Sequence, residues 1–258
     1  MAAIKLKTAE EINKIRKACS IVAFVLAETS QAIKPGVTTE DLDRLAERLI
    51  REKGAIPVFI GYRGYRHATC ISVNQEVVHG IPGKKVLQEG DIVGLDVGAI
   101  IDGYCGDNAA TFPVGKIDKK SAKLMKATKD ALNAAIRQAR AGNHLGDISA
   151  AIFRTAENRG YSVVKDLYGH GIGKDLHEDP LIPNVGNPGE GPELKAGMTL
   201  AIEPMLNIGG WKIKTLADGW TVVTEDNSLS CHFEHTILIT EGDPEILTLR
   251  GTPRRGSE

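Results

Sequence analysis

Two stretches of this chain repeat one another at a distance of about one hundred residues. Residues 34–55, KPGVTTEDLDRLAERLIREKGA, align with residues 140–161, RAGNHLGDISAAIFRTAENRGY, at an offset of 106. Gly36 meets Gly142, Asp41 meets Asp147, Leu42 meets Ile148 and Gly54 meets Gly160. Further on, residues 86–98, VLQEGDIVGLDVG, align with residues 193–205, ELKAGMTLAIEPM, at an offset of 107. That match sets Leu87 on Leu194, Gly90 on Gly197 and Asp96 on Glu203. Helix similarity alone can produce the first match. The second places a carboxylate on a carboxylate inside an apolar strand. Each half therefore reads as two helices followed by strands. The two halves pack as one domain with pseudo-twofold symmetry, and a site between them draws residues from both.

The helix signals fit that plan. Thr8 with Glu11 opens a capping box, and Ile12, Ile15, Cys19, Val22 and Leu26 recur at helical spacing until Pro35-Gly36. A second helix begins near Thr38 or Thr39, carries Leu42, Leu45, Leu49 and Ile50 on one face, and ends at Gly54. Residues 55–115 read as strands, with turns at Gly80–Gly83 and Asp102-Gly103. Two more helices are expected over 118–141 and 146–159. Short strands and Gly/Pro-rich loops follow to about Leu249. Residues 250–258, RGTPRRGSE, form a polar, frayed tail. The halves span roughly 8–115 and 116–249 of a single domain covering 1–258.

Within 94–112, GLDVGAIIDGYCGDNAATF, two carboxylates sit among apolar residues. Asp102-Gly103 is a two-residue hairpin signal. With the turn there, Asp96 faces Ala109 and Asp107 faces Gly98. Side chains alternate along a strand, so Asp96 and Asp107 share a face as diagonal neighbours, about 7–8 Å apart at the backbone. An Asp beside a hairpin is usually a turn former, which suffices for Asp102. Two like charges in an apolar hairpin repel unless something neutralises them, and a divalent cation between them does so.

Bulk properties exclude several classes. The formal net charge of −1 carries no basic excess for nucleic acid. No apolar run reaches the length of a membrane span, and the N-terminus lacks a signal-peptide core. Cys19, Cys70, Cys105 and Cys231 show no CxxC spacing, which reads as reduced thiols in a cytoplasmic protein.

Further ligand types recur in apolar contexts. Glu203 lies in TLAIEPM and Glu234 in SCHFEHTILIT. His170 is flanked by glycines, His177 follows in KDLHEDP, and His79 sits in VVHGIPG. A lone His is more often structural than a ligand. One His and four carboxylates together suit a two-metal site of first-row cations. Four carboxylates balance two divalent charges, and bridging residues hold such ions ~3.5–4 Å apart. A water bridging both becomes a hydroxide nucleophile near neutral pH. No HExxH zinc helix is present.

VVHGIPG, LDVGAIIDGYCGDNAATFPVG, GHGIGKDLHEDP, AIEPM and DGWTVVTEDNSLSCHFEHTILIT together resemble the type I methionine aminopeptidases, over residues 5–250. The resemblance implies the pita-bread fold, an α/β (α+β) architecture of two pseudo-symmetric halves with helices on a curved, mainly antiparallel sheet. It implies removal of N-terminal methionine from nascent chains, favouring small second residues. It implies Asp96, Asp107, His170, Glu203 and Glu234 as ligands of two divalent ions (Co, Mn, Fe or Zn), with Asp107 and Glu234 bridging. His79, His177 and Glu203 carry the catalysis by the same match. Tyr62, Tyr65, Cys70 and Trp220, with His79 and His177, match the substrate pocket. Asn74 and Ser230 match a monovalent-cation site. Leu176 stands where some members have an aromatic residue, and His232 where some have glutamine. The partners implied are nascent N-termini, met at the ribosome by a monomer.

Other readings share the fold. Aminopeptidase P and prolidase carry an extra N-terminal domain, for which this chain has no room. Type II enzymes carry a helical insertion before the last Glu ligands, whereas 32 residues separate His170 from Glu203. An inactive binding relative would lack ligands, and all five are present.

Overall fold

The structure is a computed structural model that describes residues 4–249. The tail over 250–258 lies outside the described residues. The first half comprises α1 (Ala9–Ser30), α2 (Thr39–Glu52), β1 (Ile56–Pro57), β2 (Thr69–Val73), β3 (Glu76–Val78), β4 (Ile92–Ile101) and β5 (Tyr104–Pro113). The second begins with α3 (Lys119–Gln138), α4 (Leu145–Glu157), β6 (Ser162–Val163), β7 (Tyr168–Gly171) and β8 (Glu178–Pro183). It continues through β9 (Thr199–Ile202), β10 (Met205–Asn207), β11 (Ile213–Thr215), β12 (Val222–Thr224), β13 (Ser230–His232), β14 (His235–Leu238) and β15 (Glu245–Ile246).

The helices follow from their caps. Thr8 and Glu11 close the expected capping box on α1, and Thr38 with Asp41 closes another on α2. Asp118 accepts from Ser121 N at 2.7 Å and so stands just before α3. α1 ends at Ser30, short of Pro35. The residue before a proline is disfavoured in helical conformation, so the chain leaves the helix early.

The repeat is realised bond by bond. Gly36 N donates to Leu87 O and Gly142 N to Leu194 O, both at 2.9 Å. Thr38 N donates to the Asp41 carboxylate at 3.1 Å, and His144 N to that of Asp147 at 2.7 Å. Each helix pair packs on its own sheet. Val22, Leu26, Leu42 and Ile50 lie buried against Ile71 and Leu95 in one half. Leu124, Ala131, Ile148 and Ile152 lie against Leu200 and Ile237 in the other. Full burial of each Leu or Ile contributes ~1.5–3 kcal/mol.

All strand pairs are antiparallel, and the two main sheets have orders β1-β4-β2, with β5 on the other edge of β4, and β15-β14-β9-β7-β8. They meet along β5 and the β13–β14 segment. Glu234 N donates to Ala109 O at 2.8 Å, Thr236 Oγ1 to Asp107 O at 2.7 Å, and Thr111 Oγ1 to His232 O at 2.8 Å. The seam between the halves is thus lined by Asp107 and Glu234.

Asp102 and Gly103 both take positive φ, 52° and 76°, as a type I′ hairpin demands. Asp96 pairs with Ala109 and Asp107 with Gly98, the expected register. Odd positions of β5 then face the seam and even ones face α1. A Cβ at Gly106 would lie 2.6 Å from Cys19 N and 2.8 Å from Ala18 C, both backbone atoms. Gly106→Ala is expected to push α1 off the sheet and cost ~1–3 kcal/mol. A fall in Tm of roughly 2–12 °C would be read by thermal unfolding. An unchanged Tm would contradict this packing.

Candidate active site

The two carboxylates of the hairpin are joined by residues from three other segments. His170 lies on β7, paired with Ala201 of β9. Glu203 follows β9 directly, and Glu234 lies between β13 and β14. The β9–β14 register pairs Ile202 with His235. One step further along, Glu203 stands opposite Glu234. His170 is flanked by glycines because neighbouring strands pass too close for side chains: a Cβ at either would collide with the carbonyl oxygens of Ala201 or Asp179.

Asp107, His170 and Glu234 are buried, and each offers a ligand atom within 4.8 Å of the others. His170 Nε2 is 3.9 Å from Asp107 Oδ2 and 3.6 Å from Glu203 Oε1. His170 Nδ1 lies 2.9 Å from Gly171 O. A carbonyl only accepts, so Nδ1 carries the proton and Nε2 presents its lone pair to the carboxylates. Asp96 Oδ1, Asp107 Oδ1 and Glu234 Oε1 are buried without a hydrogen-bond partner among the described residues. Unpaired buried carboxylate oxygens are costly. This donor set, hard oxygens with one imidazole, fits divalent first-row cations.

Electrostatics say the same. Burial pushes Asp96 up to about 7, with the Glu203 carboxylate adding to the rise. Burial alone lifts Glu203 to about 8. Asp107 rises well above the carboxylate range through burial and then the Asp96 and Glu203 carboxylates, and Glu234 does so through burial and then those of Asp107, Glu203 and Asp96. Burial lowers His79, His170 and His232 to about 4 and His177 to about 3. In the metal-free protein, these shifts fix a pH dependence. Above pH ~7.5 the histidines are neutral in folded and unfolded chains alike. The buried carboxylates still hold protons that the unfolded chain releases. Folded chains then bind more protons, so stability falls as pH rises. Chelated protein is expected to lose Tm between about pH 7.5 and 8.5, while metal-loaded protein keeps it. Thermal unfolding of both forms checks this; a Tm that rises for the chelated form would contradict it.

Every residue singled out as ligand, catalyst or pocket wall lines one cavity. Its floor is Asp96, Asp107, His170, Glu203 and Glu234; its walls include Tyr62, Tyr65, Cys70, His79, His177 and Trp220. Cys70 pairs with Asp96 across β2 and β4. Tyr65 and Trp220 meet edge to face at 5.0 Å, and the Tyr65 hydroxyl donates to Thr69 O and Gly80 O at 3.0 and 3.1 Å. His79 is 6.3 Å from the Trp220 ring and holds a left-handed φ of 58°. The rings of His170 and His177 are 4.2 Å apart.

Phe59, Arg63 and Leu176 also line the cavity. In the sequence Leu176 stands out only as a departure from the family pattern, and the glycines of GYRG are the signal available for Arg63. His232 places Nε2 3.6 Å from Glu203 Oε2. Asn74 and Ser230 lie apart from the cavity walls: Ser230 N donates to Asn74 O at 2.9 Å, and Asn74 Nδ2 donates to Asp91 at 2.8 Å.

A pita-bread fold that gathers four carboxylates and a histidine at the floor of one cavity defines a metal-dependent hydrolase. The chain belongs to metallopeptidase family M24, whose sequence pattern matches residues 13–241. It is 52% identical to methionine aminopeptidase 1 of Bacillus subtilis over 242 residues, covering 94% of this chain and 98% of that one. A crystal structure of methionine aminopeptidase from Thermotoga maritima matches with TM-score 0.94 and 49% identity, over 96% of this chain and all of that one. A prolidase from Pyrococcus furiosus matches with TM-score 0.78 and 25% identity, over 96% of this chain and 66% of that one.

Proposed function

We propose that Asp96, Asp107, His170, Glu203 and Glu234 hold two divalent cations, with Asp107 and Glu234 shared between them. The chain is a methionine aminopeptidase, and it removes the N-terminal methionine of proteins and peptides. The observation that carries the site assignment is the set of buried, unpartnered carboxylate oxygens around His170 Nε2, at the floor of an aromatic cavity. Cations bound there supply Lewis acidity and activate a water. The metal is Co, Mn, Fe or Zn, since carboxylate and imidazole ligands suit each.

The chain's own groups divide the proton chemistry. Glu203 takes the proton of the attacking water and passes it towards the leaving amine. His177 donates a hydrogen bond to the scissile carbonyl oxygen, where negative charge grows. His79 contacts the scissile nitrogen or that oxygen from the other side. Tyr62, Tyr65, Cys70 and Trp220 receive the methionine side chain, whose flexible thioether suits aromatic and soft walls. Small second residues are favoured.

The chain works as a single catalytic domain with halves over 8–115 and 116–249. One chain supplies every residue of the cavity, which supports a monomer. The four cysteines are free and buried, which supports a reducing, cytoplasmic setting where nascent N-termini emerge at the ribosome. A monovalent cation near Asn74 and Ser230 would rely on main-chain oxygens, because both polar groups of the Asn74 side chain are engaged.

Turnover of Met-Ala-Ser, Leu-Ala-Ser and Lys-Ala-Ser tests the specificity. Leucine at the first position is expected to be cleaved ~10–200-fold more slowly than methionine, the range for a small change in an apolar pocket. Lysine is expected not to be cleaved measurably. Equal rates for methionine and lysine would contradict the assignment.

A further inference from the structure

Tyr62 reaches the cavity with its ring, but its hydroxyl is aimed elsewhere. The phenolic oxygen lies 2.7 Å from His177 Nδ1, with ring centroids 5.2 Å apart and planes inclined by 31°. We propose that Tyr62 is a positioning residue for peptide hydrolysis: its hydroxyl donates to His177 Nδ1 and thereby fixes the tautomer whose proton sits on Nε2, the nitrogen that meets the scissile carbonyl oxygen. This rests on the role given to His177 under Proposed function.

A neutral imidazole has one N–H and one lone pair, and the partner of one nitrogen decides the state of the other. A phenolic oxygen delocalises its lone pair into the ring and accepts poorly, whereas an imidazole nitrogen accepts well. The Tyr62 hydroxyl meets no other acceptor among the described residues, so its proton points at Nδ1.

The two neighbouring histidines are thereby set in opposite senses. His170 Nδ1 donates to a carbonyl, which leaves Nε2 a lone pair suited to a cation. His177 Nδ1 accepts from a hydroxyl, which leaves Nε2 an N–H suited to an oxygen. His177 lies at the end of the connection from β7 to β8, and Tyr62 is the side chain hydrogen-bonded to its ring.

Tyr62 is itself held firmly. It opens a 3-10 turn, Tyr62–Gly64, in which its N–H donates to Phe59 O at 3.0 Å and Tyr65 N donates back to Tyr62 O at 2.9 Å. Gly61, Arg63 and Gly64 all take left-handed φ, at 87°, 49° and 89°. That backbone is restrictive for Arg63, and its guanidinium sits 5.4 Å from the centre of the Tyr62 ring. The turn thus aims the hydroxyl rather than merely tolerating it.

The test uses the full chain loaded with zinc, and Tyr62→Phe keeps the ring but removes the hydroxyl. Loss of this hydrogen bond is expected to lower kcat roughly 10-fold. KM for Met-Ala-Ser, the preference for methionine over norleucine, metal content and Tm are all expected to stay unchanged. Nitrogen-15 NMR of the His177 ring should show unprotonated Nδ1 and protonated Nε2 in the wild type, and a tautomer mixture in the variant. In a His177→Ala background, Tyr62→Phe should add no further loss. A wild-type His177 protonated on Nδ1 would overturn the proposal. So would wild-type kcat in Tyr62→Phe, a loss confined to KM and side-chain preference, or a further loss in the His177→Ala background. If His177→Ala is itself fully active, the catalytic reading of His177 falls first. If His177→Ala is slow and Tyr62→Phe is not, only this proposal falls.

Discussion

Asp107→Asn is expected to lose bound metal and activity together. Asp107 stands at the seam, buried, with Oδ1 unpartnered and Oδ2 3.9 Å from His170 Nε2. The amide matches the carboxylate in size but removes one of four negative charges. It also replaces one oxygen with an N–H donor that cannot ligate a cation. With the bridging role proposed for Asp107, its loss is expected to lower occupancy of both ions, and kcat/KM by at least ~10³-fold, comparable to losing a principal electrostatic contributor. The chelated variant should melt no lower than chelated wild type, because the amide is neutral at every pH, whereas the Asp107 carboxyl must take up a proton to be buried beside its carboxylate neighbours. Elemental analysis, turnover of Met-Ala-Ser and thermal unfolding read the three effects. Full metal loading with normal turnover would contradict the assignment.

His177→Ala is expected to be the next largest loss, and of a different kind. Its ring lies 4.2 Å from that of the ligand His170, yet the five proposed ligands do not include it. A donor to developing negative charge, once removed, lowers kcat by ~10²–10³-fold and leaves metal binding intact. A residue that only organises the β7–β8 connection would instead lower Tm or raise KM. The variant should therefore keep both metals and a near-normal Tm and lose mainly kcat. His79→Ala should behave alike, since His79 enters the same cavity from the first half of the repeat. Wild-type kcat in either variant would remove that histidine from the chemistry.

Much of the framework was legible because it is set by local rules. Asp102-Gly103 dictates a type I′ turn, the turn dictates the register, and the register puts Asp96 and Asp107 on one face. The capping residues Thr8, Thr38 and Asp118 place three helix starts to within a residue. The repeat announced a site shared between halves. Other features depend on approach in three dimensions. The seam bonds of Thr236 with Asp107 and Thr111 with His232 join residues more than a hundred positions apart. Phe59 and Arg63 sit among other aromatic and basic residues in the connection from β1 to β2, with no periodicity to single them out. Buried Asp43 on α2 anchors the start of β2 by accepting from Thr69 N and Oγ1 at 2.8 and 2.7 Å; in the sequence it is one acid among many on a charged helix. The contact of Tyr62 with His177 likewise joins two halves that the sequence separates by 115 positions.

Removal of N-terminal methionine by this chain is proposed to run on cations held between its halves. Metal-stripped wild-type protein titrated with Mn, Fe, Co and Zn in turn, with bound metal and turnover of Met-Ala-Ser followed together, tests it most directly. The account predicts no turnover in the stripped protein, recovery as metal binds, and saturation at two ions per chain. Undiminished turnover after stripping, or saturable metal binding that restores no cleavage with any of the four, would contradict it.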